Sequence, residues 1–268
     1  MISAESNDMA SPQPVTLVTG ASAGIGAELA RQFSARGEAL LLTARRGDRL
    51  KALAGELRAA HGVRVEWVAA DLTEADAPMR LADETVALGC EVRTLVNNAG
   101  FGLRGAFAEQ PLERLIAMLN LNVVALTSLT GLFLPGMLVR REGGIMNLAS
   151  IASYLPGPYM AVYYASKAYV LHLTEAIAHE TRGSGVKVTA VCPGVTESEF
   201  AEVAGLAASR LMHNTAMTSR EVARLAIAGH LAGHRVVVTG AGNKFMPLAA
   251  RLLPTSLLMR VVARLQKK

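Results

Sequence analysis

Cysteine is scarce: Cys90 and Cys192 are the only two in 268 residues. They stand far apart, no apolar core precedes Val15, and the first basic residue is Arg31, so neither a disulfide framework nor a secretory signal is expected, and a reduced cytoplasmic setting is. None of the six histidines (His61, His172, His179, His213, His230, His234) is spaced from cysteine or carboxylate as a zinc site would require, so no metal is expected. Repeats, low-complexity tracts and linker-like stretches are also missing, which points to one domain. Acidic residues run out at Glu221. Up to that point 19 of the 27 Lys and Arg face all 22 Asp and Glu, a net −3; beyond it eight basic residues meet none, a net +8. Such asymmetry points to an anionic partner, though not to nucleic acid.

Apolar residues make up 51% of the chain and the mean hydropathy is +0.30, so a membrane span must be weighed. Residues 116–139 lack charge over a sufficient length, but Asn120, Asn122, Thr127 and Pro135 interrupt them, and 143–166 contain Pro156, Gly157 and Pro158. Both read as interior elements. The first thirteen residues are small and polar and read as a flexible tail.

Short apolar runs at 15–19, 39–43, 63–69, 94–96, 144–148, 187–192 and 235–239 alternate with segments of helical spacing. This pattern predicts an α/β chain: a single Rossmann-type, doubly wound domain over 14–243, with a seven-stranded parallel sheet flanked by helices. The first run ends in TGASAGIG, placing Gly20, Gly24 and Gly26 before a helix, where bare backbone N–H groups at a positive helix end suit a pyrophosphate. After the second run, where a carboxylate would bind the 2′-hydroxyl of NAD, stand Arg45 and Arg46. A guanidinium suits a 2′-phosphate, so NADP(H) is expected, with Arg45 and Ser22 as contacts; the other reading makes the two arginines solvated residues opening the next helix.

The stretch 150–167, SIASYLPGPYMAVYYASK, brings a hydroxyl, a phenol and an amine to fixed spacings. Tyr163 and Lys167 lie four apart, within reach on one helix face, and an ammonium beside a phenol favours the phenolate, which suggests a general acid/base tuned toward working pH. Tyr164, three residues before Lys167, is not excluded by helical geometry. With Ser150 thirteen residues before Tyr163, the chain resembles the classical short-chain dehydrogenases/reductases, and most closely an uncharacterised bacterial group of DltE-like NADP-dependent oxidoreductases.

The resemblance implies that Tyr163 moves the proton, that Lys167 lowers its pKa and holds the nicotinamide ribose, and that Ser150 hydrogen-bonds the substrate oxygen. It selects Asn122 over Asn120 as the helix asparagine that binds a water linking Lys167 to solvent. It places the cofactor along Gly20, Ser22, Ala23, Gly24, Ile25 and Gly26, along Asp71 and Leu72, along the NNAG residues Asn98, Ala99 and Gly100, and along the loop of Pro193, Gly194, Val195 and Thr196. Asp71 reads equally as a helix-start signal, and the asparagines as strand cross-links.

Phe101, Leu155, Tyr159 and Phe200 are candidate pocket residues, with a substrate loop at about 194–218. Their lack of charge suggests an apolar carbonyl or secondary-alcohol substrate. Two alternatives stand beside this: a 3-oxoacyl-(carrier protein) reductase whose Arg104 and late basic residues meet an acidic carrier, and a non-catalytic NADP-binding scaffold or membrane-associated sensor. A homodimer or homotetramer is implied, through the two long helices. Residues 244–268 form a basic amphipathic extension, with Leu257, Leu258, Val261, Val262 and Leu265 expected on one side and Arg260 and Arg264 on the other. It docks on its own domain or a sister subunit, or makes peripheral contact with a membrane.

Overall fold

The computed structural model describes residues 11–197, 199–200 and 216–266. Among the described residues nine strands are present: β1 (Gln13–Thr19), β2 (Leu40–Ala44), β3 (Val65–Ala69), β4 (Cys90–Asn97), β5 (Gly143–Leu148), β6 (Val186–Cys192), β7 (Thr196–Glu197), β8 (Met217–Thr218) and β9 (Val236–Val238). Seven of them form one sheet in the order β3-β2-β1-β4-β5-β6-β9, every pair parallel. Leu40, Leu41 and Leu42 are wholly buried in succession, as parallel strands covered on both faces require. Gln13 and Pro14 already pair with Cys90 and Glu91, so the strand begins inside the stretch expected to be a tail.

The helices are α1 (Gly24–Ser34), α2 (Gly47–His61), α3 (Ala77–Ala87), α4 (Leu112–Arg140), α5 (Ala161–Glu180), α6 (Ser219–Leu231), α7 (Met246–Leu252) and α8 (Thr255–Gln266). One face of the sheet is covered by α1, α2 and α6, through Leu29, Leu50 and Ile227; the other by α3, α4 and α5, through Leu81, Leu129 and Ile177. By length and composition α4 is apolar enough to cross a membrane. It lies instead on the sheet with Asn122 and Thr130 buried, and a π-helical turn at Asn120–Ala125 interrupts its middle. Asp71 does not open a helix: its carboxylate accepts from the Thr73 N–H and hydroxyl, closing a turn, and α3 begins only at Ala77.

Strand order reverses between β1 and β4, and the carboxyl ends of these strands form the crevice where such sheets bind ligands. A line of amides holds the far side. Asn97 donates to the Thr130 hydroxyl and to Asn147 Oδ1, and Asn147 donates to Thr174 on α5. Of the expected loop at 194–218, residues 198 and 201–215 lie outside the described residues; its ends meet where β7 pairs with β8.

His230 on α6 is buried over Gly144, with Nδ1 2.9 Å from the Thr189 hydroxyl. Burial, helped by the charge of Lys187, pushes its pKa down to about 4, against about 6.5 in an unfolded chain. Between those values the unfolded state takes up the extra proton, so stability falls as pH drops from 6.5 to 4. We expect this group alone to remove about 3 kcal/mol across that window. Denaturant midpoints measured from pH 7 to 4 should therefore fall less steeply for His230→Asn than for the native chain.

Candidate active site

A glycine turn forms the floor of the crevice. Gly20 adopts φ +66°, and a Cβ there would press on Asn98 and Ala99; a Cβ at Gly26 would overlap the Gly20 carbonyl and the Asn98 amide. Only bare backbone fits, and α1 starts beside it with no side-chain cap and no acid in its first turn. Its leading N–H groups are thus left for an anion.

From this turn a cleft of about 520 Å³ runs to α5 and on to the C-terminal helices, within the size range of small-molecule sites. All the residues expected along the cofactor line it except Gly26, which lies beneath and lets the turn close. Ser150, Tyr163 and Lys167 line it together; Asn122 does not. Phe101, Leu155 and Phe200 line its apolar end. Tyr159 is absent from the lining: its backbone takes the left-handed φ of 65°, and its carbonyl accepts from the Gly105 N–H.

Ser150 is held by a reciprocal cap. Its hydroxyl accepts from the Ala152 N–H, its own N–H donates to the Ser153 hydroxyl, and Ser153 donates in turn to the Lys167 carbonyl. The Ser150 side chain also lies close enough to the Tyr163 phenol to favour its ionised form. The ammonium of Lys167 donates to the Leu148 carbonyl at 2.5 Å.

Burial pushes the Tyr163 phenol up to about 12, the Ser150 contact opposing it, and burial brings Lys167 down to about 8. The expected lowering of the phenol by its lysine neighbour is therefore not the dominant effect. Desolvation disfavours both charged forms, and the ammonium spends its contact on a carbonyl.

Tyr164 shares the cleft but faces elsewhere: its hydroxyl accepts from the Gln266 amide at 3.3 Å, and its ring meets Tyr163 edge-on. Of the two tyrosines, open by helical spacing, Tyr163 is the one beside Ser150, and Tyr164 is the one beside Gln266.

Asn122 sits in the π turn with its amide fully engaged. Oδ1 accepts from the Phe101 N–H, and Nδ2 donates to the Phe101 carbonyl and the Ser166 hydroxyl. It clamps the strand end beside Gly100 rather than reaching into the cleft. Asn120 turns away to the Thr73 carbonyl.

At the other end Arg46, not Arg45, reaches Ser22, with Nη2 at 3.1 Å and Nε at 3.3 Å from its hydroxyl. Arg45 stands exposed at the rim. Glu199 accepts from Arg46 and Arg49, whose guanidinium groups hold its carboxyl below the usual range. An arginine fork over a serine hydroxyl is a phosphate-binding arrangement, and Glu199 occupies it as an internal anion. No sequence signal marked Glu199, nor the lining residues Met246, Val262, Leu265 and Gln266 from the extension. Among the described residues no group of three or more His, Cys, Asp or Glu is placed to hold a metal ion.

A family model for short chain dehydrogenases matches residues 14–207. Sulfoacetaldehyde reductase 2 of Chromohalobacter salexigens is 38% identical over 192 residues, 69% of this chain and 74% of the relative. Very-long-chain 3-oxoacyl-CoA reductase of Anas platyrhynchos is 30% identical over 259 residues, covering 94% and 80%. Among solved structures, a short-chain dehydrogenase from Sphingobium yanoikuyae in complex with NADPH is similar with a TM-score of 0.80 at 32% identity, covering 92% of this chain and 95% of that one. These likenesses extend to the short-chain dehydrogenases as a family and do not single out the DltE-like group.

The fork at Arg46 sets a test. A charge-assisted phosphate contact contributes about 1.5–3 kcal/mol, so we expect Arg46→Ala to weaken NADPH binding roughly 10- to 100-fold by fluorescence titration and to leave NADH nearly unchanged. Arg45→Ala should weaken NADPH by much less.

Proposed function

The chain belongs to the short-chain dehydrogenase family, an NADP(H)-dependent oxidoreductase acting on CH–OH and C=O groups, and on that premise we propose that its substrate is an apolar carbonyl or secondary alcohol. The observation that carries this is the composition of the cleft beyond Tyr163: Phe101, Leu155, Met160, Phe200, Val262 and Leu265. Tyr163 and Phe200 pack at 5.3 Å between ring centroids, so two aromatic rings form that wall.

When bound, NADP(H) supplies or takes up the hydride. In our reading the chain does the rest. The Ser150 hydroxyl orients the substrate oxygen against the phenol. Tyr163 gives that oxygen its proton in reduction and recovers it in oxidation. The phenolate left by reduction is stabilised by the Lys167 ammonium, which lies one helical turn further on and is at least as deeply buried. Asn122 is a positioning residue, holding Phe101 and Ser166, whose hydroxyl donates to the Tyr163 carbonyl.

A second reading has a specific observation behind it: a relative matched over 94% of this chain is a very-long-chain 3-oxoacyl-CoA reductase, and on that reading the apolar group is a long acyl chain. Arg104 does not support the carrier-bound form of that reading, because its Nε donates to the Gln266 carbonyl at 2.7 Å. Exposed Ile116, Val124 and Tyr169 on α4 and α5 support a homodimer or homotetramer. Buried free thiols at Cys90 and Cys192 support a reducing, cytoplasmic setting.

A panel of ketones and acyl thioesters followed by NADPH absorbance tests the substrate class: turnover confined to small charged hydroxy acids would sink it. Tyr163→Phe should abolish turnover and spare NADPH binding, while Tyr164→Phe keeps most activity. Equal losses from the two would mean the acid is wrongly assigned.

The pH dependence has a definite sign. At pH 7 the phenol carries its proton and the lysine its charge, so reduction is ready to run. Raising pH through about 8 discharges Lys167 and removes the stabiliser of the phenolate. We expect kcat/KM for reduction to fall about tenfold per unit above that point, a limb governed by the free enzyme.

A further inference from the structure

The C-terminal helices do two things at once, and together these point to a surface partner. The inward side of α8 is a narrow line: Val262 is 7% exposed, and Gln266, equally buried, joins Tyr164 through its amide and Arg104 through its carbonyl. Leu257, Val261 and Leu265, expected on that side, stand outward at 46%, 48% and 46% exposure. At helical spacing they share their arc with Arg260 and Arg264, so apolar and basic side chains alternate on one outer stripe. α7 repeats the arrangement, with Leu248, Leu252 and Arg251 exposed at i, i+4 and i+3, and Phe245 exposed just before it. No acidic residue follows Glu221 to neutralise either helix.

We propose that this face of α7 and α8 docks on an anionic lipid surface and that the cleft draws its apolar substrate from that surface. Outward leucine, valine and phenylalanine interleaved with arginine match a helix lying in the headgroup plane, the apolar tips entering the acyl boundary and the guanidinium groups meeting phosphates. A second copy presenting the same face would set these arginines against one another with no carboxylate within the extension to separate them. The link to the cleft is Leu265, which belongs to the outer stripe and also lines the cavity, with Met246 of α7 lining it too. A substrate with an apolar tail thus passes from the docked surface past Leu265 without crossing water. This half of the proposal rests on the apolar-substrate reading above; the docking does not.

The test is flotation of the full chain with phosphatidylcholine vesicles, with and without about one-third phosphatidylglycerol, in the absence of substrate. We expect association with the anionic vesicles at least tenfold above the neutral ones, falling as salt rises from low to high, as screening requires. Arg260→Glu with Arg264→Glu, and separately Leu257→Ser with Val261→Ser, should each lower association at least tenfold while NADPH binding and turnover of a water-soluble ketone persist. Equal or absent association with the two vesicle types overturns the docking and leaves the substrate class standing. Conversion of an oligomer to a smaller species by Leu257→Ser with Val261→Ser, read by sedimentation, overturns it in favour of a second copy. If docking holds but a ketone embedded in anionic vesicles is turned over no faster than in neutral ones, delivery from the surface is refuted.

Discussion

One buried hydroxyl holds the site together. Thr19, at the end of β1, donates to the Val96 carbonyl and accepts from the backbone N–H groups of Asn98 and Ala99; Asn98 returns the link, its amide donating to the carbonyls of Thr19 and Gly20. These bonds tie the carboxyl ends of β1 and β4 across the point where strand order reverses. The two strands stop pairing with each other at Val18 and Val96, so without these bonds their ends would have no link across the crevice. Because Asn98 reaches the Gly20 carbonyl, the glycine turn keeps its left-handed conformation, and because the turn is that tight, nothing larger than hydrogen fits at Gly26. The anion cradle follows from the stitch.

The same burial governs the chemical end. A phenol raised to about 12 and a lysine lowered to about 8 are two results of one cause, the exclusion of water around α5. Proximity in sequence suggested that the ammonium would win. In the folded chain the carbonyl of Leu148 competes for it, and a buried phenol with a proton to give is the stable form. On the proposed mechanism this is the useful state for reduction, since the acid form is populated at neutral pH.

What could be read from the chain beforehand follows a physical line. Strand positions were legible to within two residues at most boundaries because a parallel sheet covered on both faces needs unbroken apolar runs, and 39–43 or 187–192 have no other use. β4 was read too short at 94–96, since Glu91 and Arg93 break its apolar run; these side chains find each other at the strand's open end. The roles of adjacent residues were not legible. Arg45 and Arg46 are neighbours just past β2 and Tyr163 and Tyr164 stand 100° apart on one helix, so what distinguishes them is a contact more than ten residues away: Arg46 meets Ser22, and Tyr163 lies beside Ser150. Asp71 shows the reverse case, where a local turn satisfied by Thr73 competes with a helix start and prevails.

The extension shows why hydrophobic pattern alone misplaces a helix. Five apolar residues of α8 span a broad arc, wider than the domain can cover, and periodicity cannot say which part faces inward. The domain offers α8 only a narrow seat beside Tyr164 and Arg104, and Val262 and Gln266 fill it. Leu257, Val261 and Leu265 are left exposed, and of these Leu265 borders the cleft. A helix packed over its full arc would have sealed the cavity at Leu265 and Met246. The two ends of the site are thus built differently: hydrogen bonds between strands define the nucleotide end, while a late segment with an exposed outer face finishes the other.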